Sequence, residues 1–298
     1  MRLRSLADDD EASRFVPGHP GTRDEQALTG DVLLTMGAIR SSDVGLVERR
    51  QQQTGESFAE AAVALGLTDH NVLARATERQ QNFVVLAPDD ERVDQLVVAA
   101  FYPTDPLAQA ARRLRSSLSA MNGSDGEPLR VVAMVAVGTR AEAGLVAANL
   151  AVACAQTGYR TLLVDAAFDA PVQHDLFRVS NRTGLSTLLA HGQAGEAIQP
   201  TAITGLSVLP SGPAVRNFAE LLDRAGLYAR VRDLADDYDL VLVDASHDDP
   251  AIAVAAAEGT DGTMVVVRRD ASSMQELKTL IEQLESRGAP VLGTVLTD

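Results

Sequence analysis

The chain has 298 residues, 46% of them hydrophobic, and its 26 Lys and Arg against 41 Asp and Glu give a formal charge of −15. That size and apolar content suffice for a sizeable core divided over two domains, while so acidic a surface repels nucleic acid and anionic lipid. One cysteine, Cys154, excludes an internal disulfide framework, and no stretch approaches the roughly 18–20 apolar residues of a membrane span.

Residues 1–26 are polar and charged, with Pro17, Gly18, Pro20 and Gly21 close together, and they lack the apolar region of a secretory signal. A disordered leader is expected there. Residues 27–85 contain a repeat. The stretch from Gly30 through Gly37 to Gln51 is echoed at an offset of 29 by Ala59, Gly66 and Gln80. Each copy reads as a short apolar helix, a glycine at its end, and a second helix starting near Ser42 or Asp69. The layout resembles the N-terminal domain of type II secretion ATPases, some of which bind cyclic di-GMP through an arginine opening each repeat. Ala27 and Ser57 stand at the matching positions, so a protein-docking module is the preferred reading and a cyclic di-GMP sensor the alternative.

Residues 86–104 read as a mixed linker, and residues 105–298 as an α/β domain. Helical periodicity covers 106–121 through Leu107, Ala111, Leu114 and Leu118. Strands are expected at 130–137, 161–165, 206–209, 240–244, 263–267 and 291–296, with helices at 143–157, 218–235 and 272–287. Short apolar strands without polar alternation, separated by helices, predict a parallel sheet covered on both faces.

A phosphate-binding loop belongs between the first of these strands and its helix. It needs small residues for backbone approach, a lysine for the phosphates and a hydroxyl for magnesium. The segment is Gly138, Thr139, Arg140, Ala141, Glu142, Ala143, Gly144 and Leu145. Measured from Gly138, the lysine position is Gly144 and the hydroxyl position Leu145; no shift of register restores a lysine.

The surrounding motifs are Ala148-Asn-Leu-Ala, Arg160-Thr-Leu-Leu-Val-Asp165, Gln173-His-Asp-Leu-Phe177, Gly184-Leu-Ser-Thr-Leu-Leu189, Leu206-Ser-Val-Leu-Pro-Ser-Gly212, Tyr238-Asp-Leu-Val-Leu-Val-Asp244 and Val291-Leu-Gly-Thr-Val-Leu296. In this order they resemble the bacterial tyrosine autokinases that determine chain length in exopolysaccharide biosynthesis. The resemblance implies a P-loop NTPase-like sheet, preceded here by the small all-α repeat module. It implies Asp165 and Asp244 as the strand-end carboxylates where magnesium is held. It also makes Gln109, Arg112 and Arg115 similar to the Glu-x-x-Arg-x-x-Arg helix that joins kinase subunits in a ring.

The departures fall on working positions. The acidic motif Asp-Ala-Asp-x-Arg of the family reads Asp165-Ala-Ala167-Phe-Asp169, and many relatives carry a tyrosine-rich tail, whereas the last tyrosine here is Tyr238. With lysine, hydroxyl and second aspartate gone, positioning and charge neutralisation of a phosphoryl group are lost together. A catalytically degenerate scaffold is therefore expected, without a cofactor, docked on an inner-membrane chain-length (co-polymerase) protein and assembling with itself or an active kinase paralogue, with no nucleic-acid partner. The alternatives are residual Mg-ATP or Mg-ADP binding, an active ATP-dependent tyrosine autokinase, or a positioning ATPase of the ParA/MinD class. Cys154 reads as a buried inert thiol, and Ser246-His247-Asp248 as adjacent residues without triad geometry.

Overall fold

Strand β2 (Val131–Val137) is Val-Val-Ala-Met-Val-Ala-Val and is buried along nearly its whole length, as a parallel strand covered on both faces must be. In the computed structural model it occupies the middle of a sheet with β1 (Arg2–Arg4), β3 (Thr161–Asp165), β4 (Gln199–Pro200), β5 (Leu206–Leu209), β6 (Leu240–Asp244), β7 (Gly262–Arg268) and β8 (Val291–Thr297). The structure describes residues 2–4, 30, 33–34, 38–69, 72–73, 85–123, 126–138, 140–191, 197–215, 220, 222 and 227–297. Among them the sheet has eight strands in the order β1-β8-β7-β2-β6-β3-β5-β4. The six inner strands run parallel; β1 and β4 close the edges antiparallel.

The helices are α1 (Ser41–Thr54), α2 (Phe58–Ala64), α3 (Pro106–Ser119), α4 (Arg140–Ala155), α5 (Gln173–Leu176), α6 (Leu185–His191), α7 (Leu227–Leu234), α8 (Pro250–Ala257) and α9 (Met274–Ser286). Alternation along β2 splits the core. Val132 and Met134 join the cluster of α3 and α4, through Leu114, Leu118, Val146 and Leu150. Val131, Ala133, Val135 and Val137 join the cluster of α6 to α9, through Leu185, Val231, Val254, Leu280 and Leu284. Each fully buried Val or Leu contributes about 1.5–3 kcal/mol, so the central strand alone anchors both helical layers. The P-loop-like α/β architecture expected from the sequence is present, and among the described residues no helix is long and apolar enough to cross a membrane.

Two boundaries differ from expectation. The 86–104 linker is part of the α/β unit, which comprises residues 1–8, 85–155 and 159–298. Leu86, Val93, Val97, Ala99, Ala100 and Phe101 are buried in the α3–α4 cluster. The backbone N–H of Asp94 donates to the Leu176 carbonyl at 2.8 Å, and that of Ala99 to Asn149 Oδ1 at 2.9 Å. Leu86, Val93, Val97 and Ala100 recur at 7, 4 and 3 residues, yet the segment is built of turns and one 3-10 turn, Val98–Ala100, so no continuous helix marks it as part of the domain. Within the expected leader, Arg2–Arg4 pairs with β8, where a sheet edge offers unpaired backbone groups; residues 5–26 lie outside the described set.

The second unit spans residues 9–84 with 156–158. Its described part shows one backbone correspondence at the offset of 29. The Ala38 N–H donates to the Leu33 carbonyl at 2.9 Å, and 29 positions on, the Leu67 N–H donates to the Ala62 carbonyl at 3.0 Å. Gly66 takes φ +69, the left-handed stop that glycine adopts cheaply. Arg40 precedes α1, and 29 positions on, the Asp69 carboxylate accepts from the Val72 N–H at 2.8 Å. Leu33, Ile39, Val47, Phe58, Ala61 and Ala62 form the core. Ser57 caps α2: its hydroxyl accepts from the Glu60 N–H at 3.2 Å while Glu60 accepts from the Ser57 N–H at 2.9 Å. Ala27, Gly37 and Gln80 lie outside the described residues.

Candidate functional site

In a parallel sheet, ligands bind beyond the carboxyl ends of strands where the strand order reverses. Here that place is the end of β2, flanked by β6 and β7. Asp165 and Asp244 end β3 and β6 as register partners on adjacent strands, both fully buried. The structure therefore brings together the two carboxylates singled out from the sequence.

Both are engaged by the chain itself. Asp165 accepts from the backbone N–H groups of Ala167 (3.1 Å), Val172 (3.1 Å) and Gln173 (3.0 Å). Asp244 accepts from the Ser246 hydroxyl at 2.7 Å, the Ser246 N–H at 3.3 Å and Gln173 Nε2 at 2.9 Å. The same Nε2 donates to the Gly144 carbonyl at 3.0 Å. Gln173 is wholly buried, and its Oε1 accepts no hydrogen bond. One amide thus ties α4, the end of β6 and α5 together. Burial pushes the Asp165 carboxyl above the usual range and the Asp244 charge adds to this, against the three N–H donors. Burial likewise raises Asp244, opposed by Gln173 and Ser246 and reinforced by the charge of Asp169.

The expected loop from Gly138 to Leu145 is a correction. Helix α4 begins at Arg140, so Arg140, Ala141, Glu142, Ala143, Gly144 and Leu145 are helical and only Gly138 and Thr139 separate strand from helix. Gly138 takes φ +69 to make that turn. The cause is local: three alanines within Arg140–Ala147 favour helix over an open arch. A Cβ on Gly144 would fall 2.8 Å from Val172 Cγ2 and 3.0 Å from Asp244 Oδ2. A side chain at this position, where the lysine of a phosphate loop belongs, would force Val172 to shift. The first turn carries Glu142 instead; it accepts from the Thr297 hydroxyl and pairs with Arg268 Nε at 3.3 Å. The single lysine of the chain, Lys278, is exposed on α9 and lies 3.8 Å from Glu282.

A magnesium nucleotide is the group that the sequence resemblance implies at this place, and the residues present do not fit it. Its phosphates would meet Glu142 and Asp244 in a closed turn, and both magnesium-type carboxylates are already occupied by donors of the chain. Among the described residues no cluster of three or more His, Cys, Asp or Glu side chains is arranged to hold a metal ion. Asp169 lies 3.8 Å from His247 Nε2 and accepts from the Asp248 N–H at 3.3 Å. His247 Nδ1 accepts from the Asp249 N–H at 2.9 Å, and Ser246 is spent on Asp244, so these neighbours form no triad.

The expected subunit-joining residues are not together on a surface. Gln109 is exposed and donates to the Thr104 carbonyl at 3.1 Å; Arg112 is half-buried and donates to the Pro103 carbonyl. Arg115 is 2% exposed and donates to the Ala153 carbonyl at 3.4 Å and the Ser116 hydroxyl at 3.1 Å. Its spacing from Ala108, Ala111 and Leu118 puts it on the face of α3 that packs on α4. Cys154 is buried beside it, its thiol pushed up to about 12 by burial. Nothing in the sequence distinguishes Gln173 from any polar residue of the Gln173–Phe177 motif, so its two bonds are visible only in the fold.

The family model described as cellulose biosynthesis protein BcsQ matches residues 131–286. The tyrosine-protein kinase wzc of Salmonella typhi is 31% identical over 208 residues, which is 67% of this chain and 28% of wzc. The tyrosine-protein kinase etk of Escherichia coli K12 is 30% identical over 202 residues, 65% of this chain and 27% of etk. The chain thus matches little more than a quarter of the length of these relatives. Among solved structures, the kinase domain of Escherichia coli ETK superposes with a TM-score of 0.63 at 25% identity, covering 71% of this chain and 82% of that one. The chimerical protein CapA2B2 gives 0.60 at 28% identity over 74% and 97%.

Proposed function

Because this chain belongs to the family described as cellulose biosynthesis protein BcsQ, among relatives that are bacterial tyrosine-protein kinases, we propose that it is a kinase-like scaffold without phosphotransfer activity, serving exopolysaccharide polymerisation and export. It docks on an inner-membrane chain-length protein and assembles with itself or with an active kinase paralogue. The observation that carries this reading is the closed position at Gly144, where Val172, Asp244 and the Gln173 amide leave no room for a phosphate-binding lysine. Phosphoryl transfer rests on positioning and charge neutralisation, and loss of one preorganised group costs roughly 100- to 1000-fold. Here the cation and hydroxyl positions are glycine and leucine, with Glu142 beside them.

Titration of the full chain with Mg-ATP and Mg-ADP by calorimetry and thermal melting tests the first half. A ligand at 100 times its Kd stabilises a fold by about 2.7 kcal/mol, so the expected result is an unshifted melt and no saturable heat. Saturable binding with transfer of labelled phosphate to a tyrosine, abolished by Asp244→Asn, would overturn it in favour of an active autokinase. Affinity capture with the membrane co-polymerase tests docking; no retention at any salt concentration counts against it.

A further inference from the structure

On the side of the sheet opposite α4, a cavity of about 380 Å³ opens beneath the ends of β2 and β6 and against α9. Its floor is apolar: Val137, Pro250 and Leu280. Its polar rim carries two carboxylates, Asp248 and Glu276, with His247 beside them and Gln275, Thr279 and Gln283 along one face of α9, and among the described residues no lysine or arginine lines it. The volume lies within the range of small-ligand sites, about 300–1000 Å³.

The charge selects the occupant. Acidic side chains over an apolar floor repel phosphates and carboxylates and suit a cationic head on an aliphatic stem, the form of an arginine or lysine side chain. Part of the Glu276 charge serves the amino end of α9, yet an anion there would still face two carboxylates. Beside the cavity, Met274 opens α9 with 77% of its surface exposed. A free small cation would leave Met274 uncovered, whereas a peptide could place a basic residue in the cavity and an apolar one on the methionine. We propose that this cavity is a docking site for a basic, amphipathic peptide segment of a protein partner, its cation between Asp248 and Glu276. The proposal rests on the scaffold reading only for who the partner is; the chemistry of the cavity is independent of it.

The probe is a fluorescein-labelled, capped hexapeptide of alternating Arg and Leu carrying a photo-cross-linker, compared with its Glu-Leu counterpart by anisotropy on the full chain. Saturable binding of the Arg peptide alone is expected, with cross-links in residues 247–250 or 274–283. Asp248→Asn with Glu276→Gln should weaken it roughly tenfold, which is about 1.4 kcal/mol. The charge-matched pair Asp89→Asn with Glu91→Gln, in the segment that packs on the opposite sheet face, should leave it unchanged. Equal weakening by both pairs means bulk attraction to an acidic chain and overturns the site, as do cross-links elsewhere. Competition by argininamide as strong as by the peptide overturns the peptide in favour of a small cation. A co-polymerase captured equally by wild type and the cavity pair would sink the cavity and leave the scaffold reading intact. Peptide binding with no co-polymerase capture would do the reverse.

Discussion

Replacing Gly144 by alanine asks whether the carboxyl end of the sheet is filled by its own side chains. Gly144 lies inside α4, where alanine ordinarily gains about 1 kcal/mol over glycine. The new methyl group would stand 2.8 Å from Val172 Cγ2 and 3.0 Å from Asp244 Oδ2, and overpacking of this kind costs about 1–3 kcal/mol. The two contributions leave a net loss of about 0–2 kcal/mol. Gly45, inside α1, supplies the reference, because a methyl group there meets nothing within 4 Å; Gly45→Ala should keep the whole gain of about 1 kcal/mol. Urea unfolding followed by far-ultraviolet circular dichroism reads both as shifts of midpoint at constant slope. Adding Val172→Ala to Gly144→Ala should recover about 1 kcal/mol beyond the sum of the single changes, since the two side chains compete for one space. If Gly144→Ala is as stable as Gly45→Ala, the closure of this site is refuted.

The buried aspartate pair sets a pH dependence. Folded-state values raised above the unfolded value of about 3.9 mean that the folded chain binds protons more tightly, so stability falls as pH rises from about 4 through the raised range. Asp244→Asn should make that slope shallower between pH 5 and 8 in urea melts, with the Gln173 amide turning to meet the new donor; an unchanged slope would contradict the burial-driven shift. Arg115→Ala should cost about 2–4 kcal/mol by emptying the face between α3 and α4, whereas Gln109→Ala should stay within about 0.5 kcal/mol. A chain that keeps its urea midpoint but changes its sedimentation on Arg115→Ala would restore a subunit-joining role to this residue. Cys154 should resist a thiol reagent at pH 8 until the fold opens, because burial keeps it protonated; rapid labelling of the native chain would show otherwise.

The parallel core was legible because its strands are unbroken apolar runs: Leu240–Asp244 and Thr161–Asp165 lie where their composition puts them. Helix α8 was not, since Pro-Ala-Ile-Ala-Val-Ala-Ala-Ala is apolar all round and leaves no periodic stripe to read. The burial of Arg115 is hidden in the opposite way. A charged residue on a helix is usually solvated, and only the buried spacing of its neighbours shows that its stem is core. At the site, the absence of a lysine is visible in the letters, but the turn of two residues before Arg140 is not. It follows from the helix propensity of the alanines after Arg140.

The Gln173 amide also has a steric consequence. A lysine at position 144 is barred until Val172 retracts and Gln173 releases both of its acceptors, so single changes toward a phosphate grip are each disfavoured before any reward arrives. The crosslink couples the three segments, so a larger side chain at position 144 must displace Val172 and the Gln173 amide together.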